Sequence, residues 1–309
     1  MARFVIGRVL QAVLIVGLIA VSVFLILRVS SGDPAKIRAP VFARPDVIEQ
    51  YRHDFGTDRP IAAQLASFFS GALLHGDLGQ SFRFQESVTV LIARAFPKTL
   101  LLAAVALALS LTVAVLLGGL AALHPGSAWG WLSSAVAAFG QSAPVFWVGL
   151  VLVLVFAVTF PLLPAGGFSG PTSLILPAIA VSFSVLPTQL RVLRAAMQAV
   201  LRQEFIRTAR AFGLPERRVL FVYALRNACL PLVTVIGVDI GYLFGGAIVA
   251  EVVFNYPGIG ELALVALNAR DYPLIQGITI VTAGTFVLTN LVIDLIYGRI
   301  DPRIHLEQP

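Results

Sequence analysis

Long apolar runs alternate with short polar connectors along this chain. A helix needs roughly 20 apolar residues to cross ~30 Å of hydrocarbon. Six stretches reach that length: residues 9–28, 99–123, 135–160, 174–197, 228–250 and 274–297. Pro144 interrupts the third, and Pro177 and Pro187 interrupt the fourth. A span tolerates proline where neighbouring helices or water satisfy the freed carbonyl. The pattern predicts an all-α integral membrane protein with six transmembrane helices. Arg3 and Arg8 precede the first apolar run, which continues for about 19 residues. That exceeds the ~7–15 of a cleaved signal sequence, so a retained signal-anchor helix is expected.

The connectors set the expected orientation. Arg3 and Arg8 lie before the first span, eight arginines fall between Arg191 and Arg226, and Arg299 and Arg303 follow the last span. On the opposite side, residues 161–173 hold no Lys or Arg and residues 251–273 hold only Arg270. Lys and Arg concentrate in cytoplasmic loops, while connectors beyond ~60 residues translocate largely regardless of charge. Both termini and the basic segment are therefore expected to be cytoplasmic. The expected organisation is residues 1–28 as start and first span, 29–96 as an extracytoplasmic segment, 97–298 as the membrane core and 299–309 as a cytoplasmic tail. Within 29–96, residues 46–52 and 61–70 have apolar positions at helical spacing. Short surface helices joined by turns are expected there.

Composition narrows the function classes. Charged residues make up 12% of the 309, against about 25% in soluble domains. The net charge of +6 could suit nucleic acid, but the basic residues flank apolar spans on one side. Cys229 is the only cysteine, which excludes an internal disulfide and any multi-cysteine metal site. Its apolar neighbours Leu225 and Leu230 predict a buried, inert thiol. His53, His75, His124 and His305 are scattered without paired metal-ligand spacing, and no nucleophile is placed for catalysis.

Polar and small residues inside the spans are the next candidates. Asp239 and Asp294 are carboxylates within apolar runs, and Asn290 shares a helix face with Asp294. A charge at the bilayer centre costs about 2.5–3.5 kcal/mol on insertion scales. These three residues are candidates for a translocation path, with interhelical hydrogen bonding as the other reading. Gly237, Gly241 and Gly245 recur every fourth residue and predict a close helix–helix contact.

The basic segment 200–218 is the most informative stretch. Leu201, Phe205, Ala209 and Phe212 fall on one helical face, with Arg202, Arg207 and Arg210 elsewhere around it. Gly213 suits the left-handed position past a helix end, and Pro215 suits the start of the next helix. The reading is a short helix, a sharp turn and a second helix running into the fifth span. A helix-turn-helix DNA reader has similar local grammar. Here, however, the second helix enters the membrane and cannot lie in a groove. Attraction to anionic lipid is another reading of the arginines.

Residues 204–231 resemble the cytoplasmic signature of ATP-binding-cassette importer permeases, in the dipeptide/oligopeptide/nickel group. The similarity rests on Arg207-Thr-Ala-Arg-Ala-Phe-Gly-Leu214, Ala224-Leu-Arg-Asn-Ala228 and Pro231. It extends through Gly32-Asp33-Pro34-Ala35, Gly76-Asp77-Leu78-Gly79 with Ser81, Phe96-Pro97-Lys98-Thr99 and Pro144-Val-Phe-Trp-Val-Gly149. Glu251-Val-Val-Phe-Asn-Tyr-Pro-Gly258, Gly260, Arg270-Asp-Tyr-Pro273, Gln276-Gly277, Asp294 and Asp301-Pro302-Arg303 complete it, in order over nearly the whole chain. Arg207, Thr208 and Ala209 stand where the broad permease signature has Glu-Ala-Ala. Phe212 replaces a frequent Lys, Pro215 replaces a frequent Ser, and the 124–131 connector lacks the usual basic residues.

The resemblance implies a type I importer permease fold in the bacterial inner membrane, with both termini cytoplasmic. It also implies a second homologous permease subunit, two cytoplasmic ATPase subunits and an extracytoplasmic substrate-binding protein, all in membrane lipid and without nucleic acid. Phe205, Arg207, Thr208, Ala209, Arg210, Phe212 and Gly213 would couple the chain to the ATPases, with Phe205, Ala209 and Phe212 packed in the partner groove. Only two lysines exist, Lys36 and Lys98, and neither follows a glycine, so no phosphate-loop motif is present. The chain is thus expected to be non-catalytic and without a cofactor of its own, ATP and magnesium being bound on partner subunits. The implied cargo is di- or oligopeptides; nickel and glutathione-type cargo belong to the same group. An ion-driven secondary transporter using Asp239 as a proton site is the reading from another class.

Overall fold

The computed structural model describes residues 2–29, 33–40 and 42–300, excepting the side chains of 2–6, 73 and 294–300. Its helices are α1 (Ala2–Val29), α2 (Pro34–Arg38), α3 (Pro45–Asp54), α4 (Ile61–Ser70) and α5 (Val88–Leu123). Then follow α6 (Ala128–Ser142), α7 (Val145–Thr159), α8 (Pro171–Ser182) and α9 (Leu186–Leu201). The series ends with α10 (Glu204–Ala211), α11 (Glu216–Val253), α12 (Ile259–Ala269) and α13 (Tyr272–Ile300). Among the described residues the only extended pairing is an isolated antiparallel bridge between Gln80 and Ser87.

Four helices carry unbroken apolar spans: Gly7–Val29, Val88–Leu123, Glu216–Val253 and Tyr272–Ile293. The other two expected spans are bent pairs, α6 with α7 at 108° and α8 with α9 at 62°. Six spans result when each pair counts as one. The 108° bend has a local cause. A residue before proline is pushed out of the helical region; Ala143 is extended at φ −88°, ψ 119°, and Pro144 caps α7. Pro187 likewise sits in the first turn of α9, just past the second break. Pro177, by contrast, does not interrupt its helix. It lies near the start of the α-helical part of α8, where a missing N–H costs no intrahelical bond.

Several boundaries differ from the apolar runs. α5 begins eleven residues before the expected 99, because Val88–Lys98 continues the same helix. α6 starts at Ala128 rather than 135, with the Ser127 hydroxyl capping it by accepting from Trp129 N at 3.2 Å. Part of the expected outer loop 251–273 is the helix α12. Cys229 is half-buried rather than enclosed.

The chain forms two compact units, residues 1–98 with 257–309, and residues 99–256. In the first, α1 packs along α13, and Val88, Ile92, Ile259, Leu274 and Ile278 form the core beside it. Gly277 is required there: a Cβ on it would stand 2.4 Å from Val88 Cγ1, so only glycine lets α5 and α13 approach. The expected short surface helices appear as α2, α3 and α4. Asp33 caps α2 by accepting from Ala35 N at 3.0 Å and pairs with Arg52 of α3 at 2.7 Å. Asp77 accepts from Gly79 N at 2.9 Å, closing the turn after α4.

The central polar contact of this unit is Asp271, fully buried between α12 and α13. Its Oδ2 accepts from the Ser81 hydroxyl at 2.5 Å and from Arg83 N at 3.0 Å, and its Oδ1 accepts from Leu274 N at 3.3 Å. One carboxylate thus caps α13 and holds the 79–84 loop against it.

The second unit has two larger cores. One gathers Leu102, Val148, Leu176, Val181, Leu243, Phe254 and Tyr256. The other gathers Leu193, Met197, Ile206, Val219, Ala224 and Leu232. Large apolar side chains such as Leu10, Leu14, Trp131, Leu154 and Val238 remain exposed along the spans. Such a surface suits hydrocarbon, where side chains need no burial within the protein.

Replacing Asp271 by alanine removes three acceptor contacts from a buried site and should destabilise the first unit by about 3 kcal/mol. Thermal melting of the purified chain in detergent reads this. The expected result is a lower midpoint for Asp271→Ala and a smaller loss for Asp271→Asn.

Candidate functional site

The basic segment folds as the sequence reading expects: a short helix, a sharp turn and a second helix entering a span. α10 begins after Gln203, whose backbone is extended, and ends at Phe212. Gly213 follows at φ +75°, with its N–H donated to Arg210 O at 2.9 Å. A Cβ there would meet nothing within 4 Å, so the demand for glycine is conformational rather than steric. Leu214 N donates back to Ala209 O at 3.3 Å, and Pro215 caps the helix that becomes α11.

The turn is also held by charge. Arg210 donates to both oxygens of Glu216, at 2.6 and 3.2 Å, which ties the end of α10 to the start of α11. These hydrogen bonds raise the Arg210 pKa further, so it stays cationic. Arg207 pairs with Glu204 one turn earlier at 3.0 Å. Arg194 donates to Ser134 Oγ at 2.9 Å and Arg191 to Gln141, which fastens α9 to α6. Part of the basic cluster is therefore structural, while Arg202, Arg217 and Arg218 are exposed.

The packed face of α10 is not the one expected. Ile206 is fully buried and Ala209 is buried beside it, in the core formed with Met197, Val219 and Ala224. Ala209 therefore cannot lie in a partner's groove. At about 100° per residue, Ile206 and Ala209 centre a face turned away from Phe205 and Phe212. Phe212 is 82% exposed and Phe205 is also exposed, as are Arg207 and Thr208. Ile206 was missed in the sequence, although its i, i+3 spacing to Ala209 was the available signal. The result is a helix pinned to its own chain on one side, presenting two aromatic rings and several arginines on the other.

The intramembrane candidates do not form one cluster. Asp239 in α11 is 4% exposed and accepts from Gln189 Nε2 of α9 at 2.7 Å. This is an interhelical hydrogen bond, and Gln189, itself fully buried, was not singled out from sequence. Asn290 belongs to the other unit, where it lines a groove between α1 and α13 with Arg8 and Gln11. The side chain of Asp294 lies outside the described residues. The glycine stripe is likewise uneven. Gly237 is buried, but Gly245 faces open space, and Gly246 makes the close approach, with its added Cβ 3.4 Å from Ser184 Oγ.

Comparison with known proteins was made against this geometry. The family model for binding-protein-dependent transport system inner membrane components matches residues 114–306. The model for the N-terminal part of such membrane components matches residues 1–103. A probable peptide ABC transporter permease protein of Sinorhizobium fredii is 35% identical over 315 residues, covering 98% of this chain and 99% of the relative. A putative peptide transport system permease protein of Brucella suis is 35% identical, covering 99% and 100%. A probable D,D-dipeptide transport system permease protein of Escherichia coli is 36% identical over 321 residues, covering 94% of each.

Truncating Ile206 to alanine should cost about 2–4 kcal/mol, concentrated at α10. Limited proteolysis should then cut within residues 202–218 at least tenfold faster while the spans stay protected. Equal cleavage rates would mean that Ile206 does not pin the helix.

Proposed function

Because this chain belongs to the family of binding-protein-dependent transport system inner-membrane components, we propose that it moves short peptides across the membrane, driven by ATP hydrolysis on separate subunits. It is a multi-pass permease subunit of the bacterial inner membrane. Peptide cargo is supported by the names of the relatives, among them permeases of peptide and D,D-dipeptide transport systems.

The observation that carries the coupling mechanism is α10 with its turn. Ile206 and Ala209 bind it to α9 and α11, so force applied to the exposed Phe205 and Phe212 passes into two membrane helices. An ATPase subunit with a groove for those rings would grip this segment, and the exposed Arg207, Arg202 and Arg217 would orient it electrostatically. Nucleotide-driven closure of two ATPase subunits would then shift α10 as a rigid lever. The driving free energy is the difference in ATPase affinity between inward-open and outward-open states. The absence of a glycine-lysine phosphate loop in the sequence supports hydrolysis on other chains, with ATP and magnesium bound there.

A substrate-binding protein on the far side would deliver the peptide, and a second homologous permease would complete the channel. In this reading Asp239 is an interhelical tie. Its hydrogen bond to Gln189 accounts for its place in a span without a proton pathway.

Uptake of a labelled dipeptide by cells carrying the whole transporter should be blocked by vanadate and should survive collapse of the membrane potential. The reverse pattern would overturn the ATP-driven reading. Gly213→Val forces a β-branched residue to φ +75°, at a cost of about 1–2 kcal/mol. It should abolish uptake while the ATPase subunits still copurify, and Gly213→Asn should retain part of it. Wild-type uptake by Gly213→Val at equal expression would sink the lever.

A further inference from the structure

The unit formed by residues 1–98 and 257–309 contains a cavity of about 300 Å³ between the α3–α4 region and the start of α13. Its most telling residue is Gln276. This side chain lines the cavity, is 4% exposed, and leaves its Nε2 without a hydrogen-bond partner. A buried donor left unsatisfied costs about 1–3 kcal/mol, a cost that an acceptor in the cavity would remove.

The walls are aromatic. Phe55 and Phe82 stack at 4.1 Å with 14° between their planes, and the Phe82 ring lies 6.3 Å from that of Tyr272. Arg59 and Asp54 also line the cavity. Both are exposed, and neither is in an ion pair among the described residues. One cavity therefore offers an amide donor in its depth, flat apolar walls, and one charge of each sign near solvent.

We propose that this cavity binds a short zwitterionic peptide at a point separate from the membrane path. A backbone carbonyl of the peptide accepts from Gln276 Nε2, its carboxylate pairs with Arg59, and its ammonium group pairs with Asp54. The aromatic walls cover the side chains. About 300 Å³ is at the small end of ligand pockets, which favours two residues over longer chains. The choice of a peptide as ligand rests on the functional reading above; the demand for an acceptor at Gln276 does not.

The test is calorimetric titration of the permease–ATPase complex in nanodiscs with alanyl-alanine and with its C-terminal amide. Wild type should bind the free-carboxylate form more tightly. Gln276→Leu should weaken binding about tenfold, and Arg59→Gln should remove the preference for the free carboxylate. Wild-type affinity in a Gln276→Leu complex of unchanged melting temperature overturns the site. If that variant fails to fold, Arg59→Gln and Asp54→Asn decide, since both alter exposed positions; wild-type affinity in both overturns it equally. Uptake of the same dipeptide by wild-type cells separates the two ideas. Binding that depends on these residues supports the site whether or not uptake occurs, whereas absent uptake overturns the peptide-transport reading alone.

Discussion

Hydrocarbon offers a peptide group no hydrogen-bond partner, so each backbone N–H and C=O within a span must be satisfied by the protein itself. That constraint decides where this chain can bend. At the α8–α9 break, Ser182 Oγ donates to Ile179 O and Ser184 Oγ donates to Val181 O, each at 2.7 Å. The hydroxyls serve carbonyls near a point where the helical ladder is broken. At the α6–α7 break, Ala143 N donates to Phe139 O at 2.9 Å before the chain turns at Pro144. The same logic places Gln189 opposite Asp239, since a carboxylate among apolar helices needs a donor at close range.

The bends in turn shape what the protein presents. α9 leads through Arg202 and Gln203 into α10, and the turn at Gly213 returns the chain into α11. Both flanking helices contribute to the core that holds Ile206 and Ala209. A short helix of eight residues would be marginal alone in water, and here tertiary packing supplies its stability. The consequence is mechanical. Apolar contact on one face makes the helix part of the membrane helices, and the exposed aromatic rings on the other make it available to a partner.

In the first unit, the short elements of residues 29–98 are organised by capping and by charge rather than by a large core. Asp33, Asp77 and Asp271 each accept from a backbone N–H, and Asp271 also fixes Ser81. These are the acidic residues of the turn signals Gly32-Asp33-Pro34, Gly76-Asp77-Leu78-Gly79 and Arg270-Asp-Tyr-Pro273. Their spacing was visible in sequence. That Asp271 reaches back to the 79–84 loop was not, because nearly two hundred residues separate the partners along the chain.

Local physics made much of this protein legible. Apolar run length marked the membrane class, 61–70 marked α4, and Gly213 with Pro215 marked the turn after α10, because each depends on residues adjacent in sequence. The tertiary structure decided what depends on distant partners. It turned the packed face of α10 from Phe205 and Phe212 to Ile206 and Ala209, replaced Gly245 by Gly246 as the close-approach glycine, and gave Asp239 its Gln189. It also bent two apolar runs that composition alone reads as straight. A periodicity states which residues share a face, but only the neighbouring helices determine which face is covered.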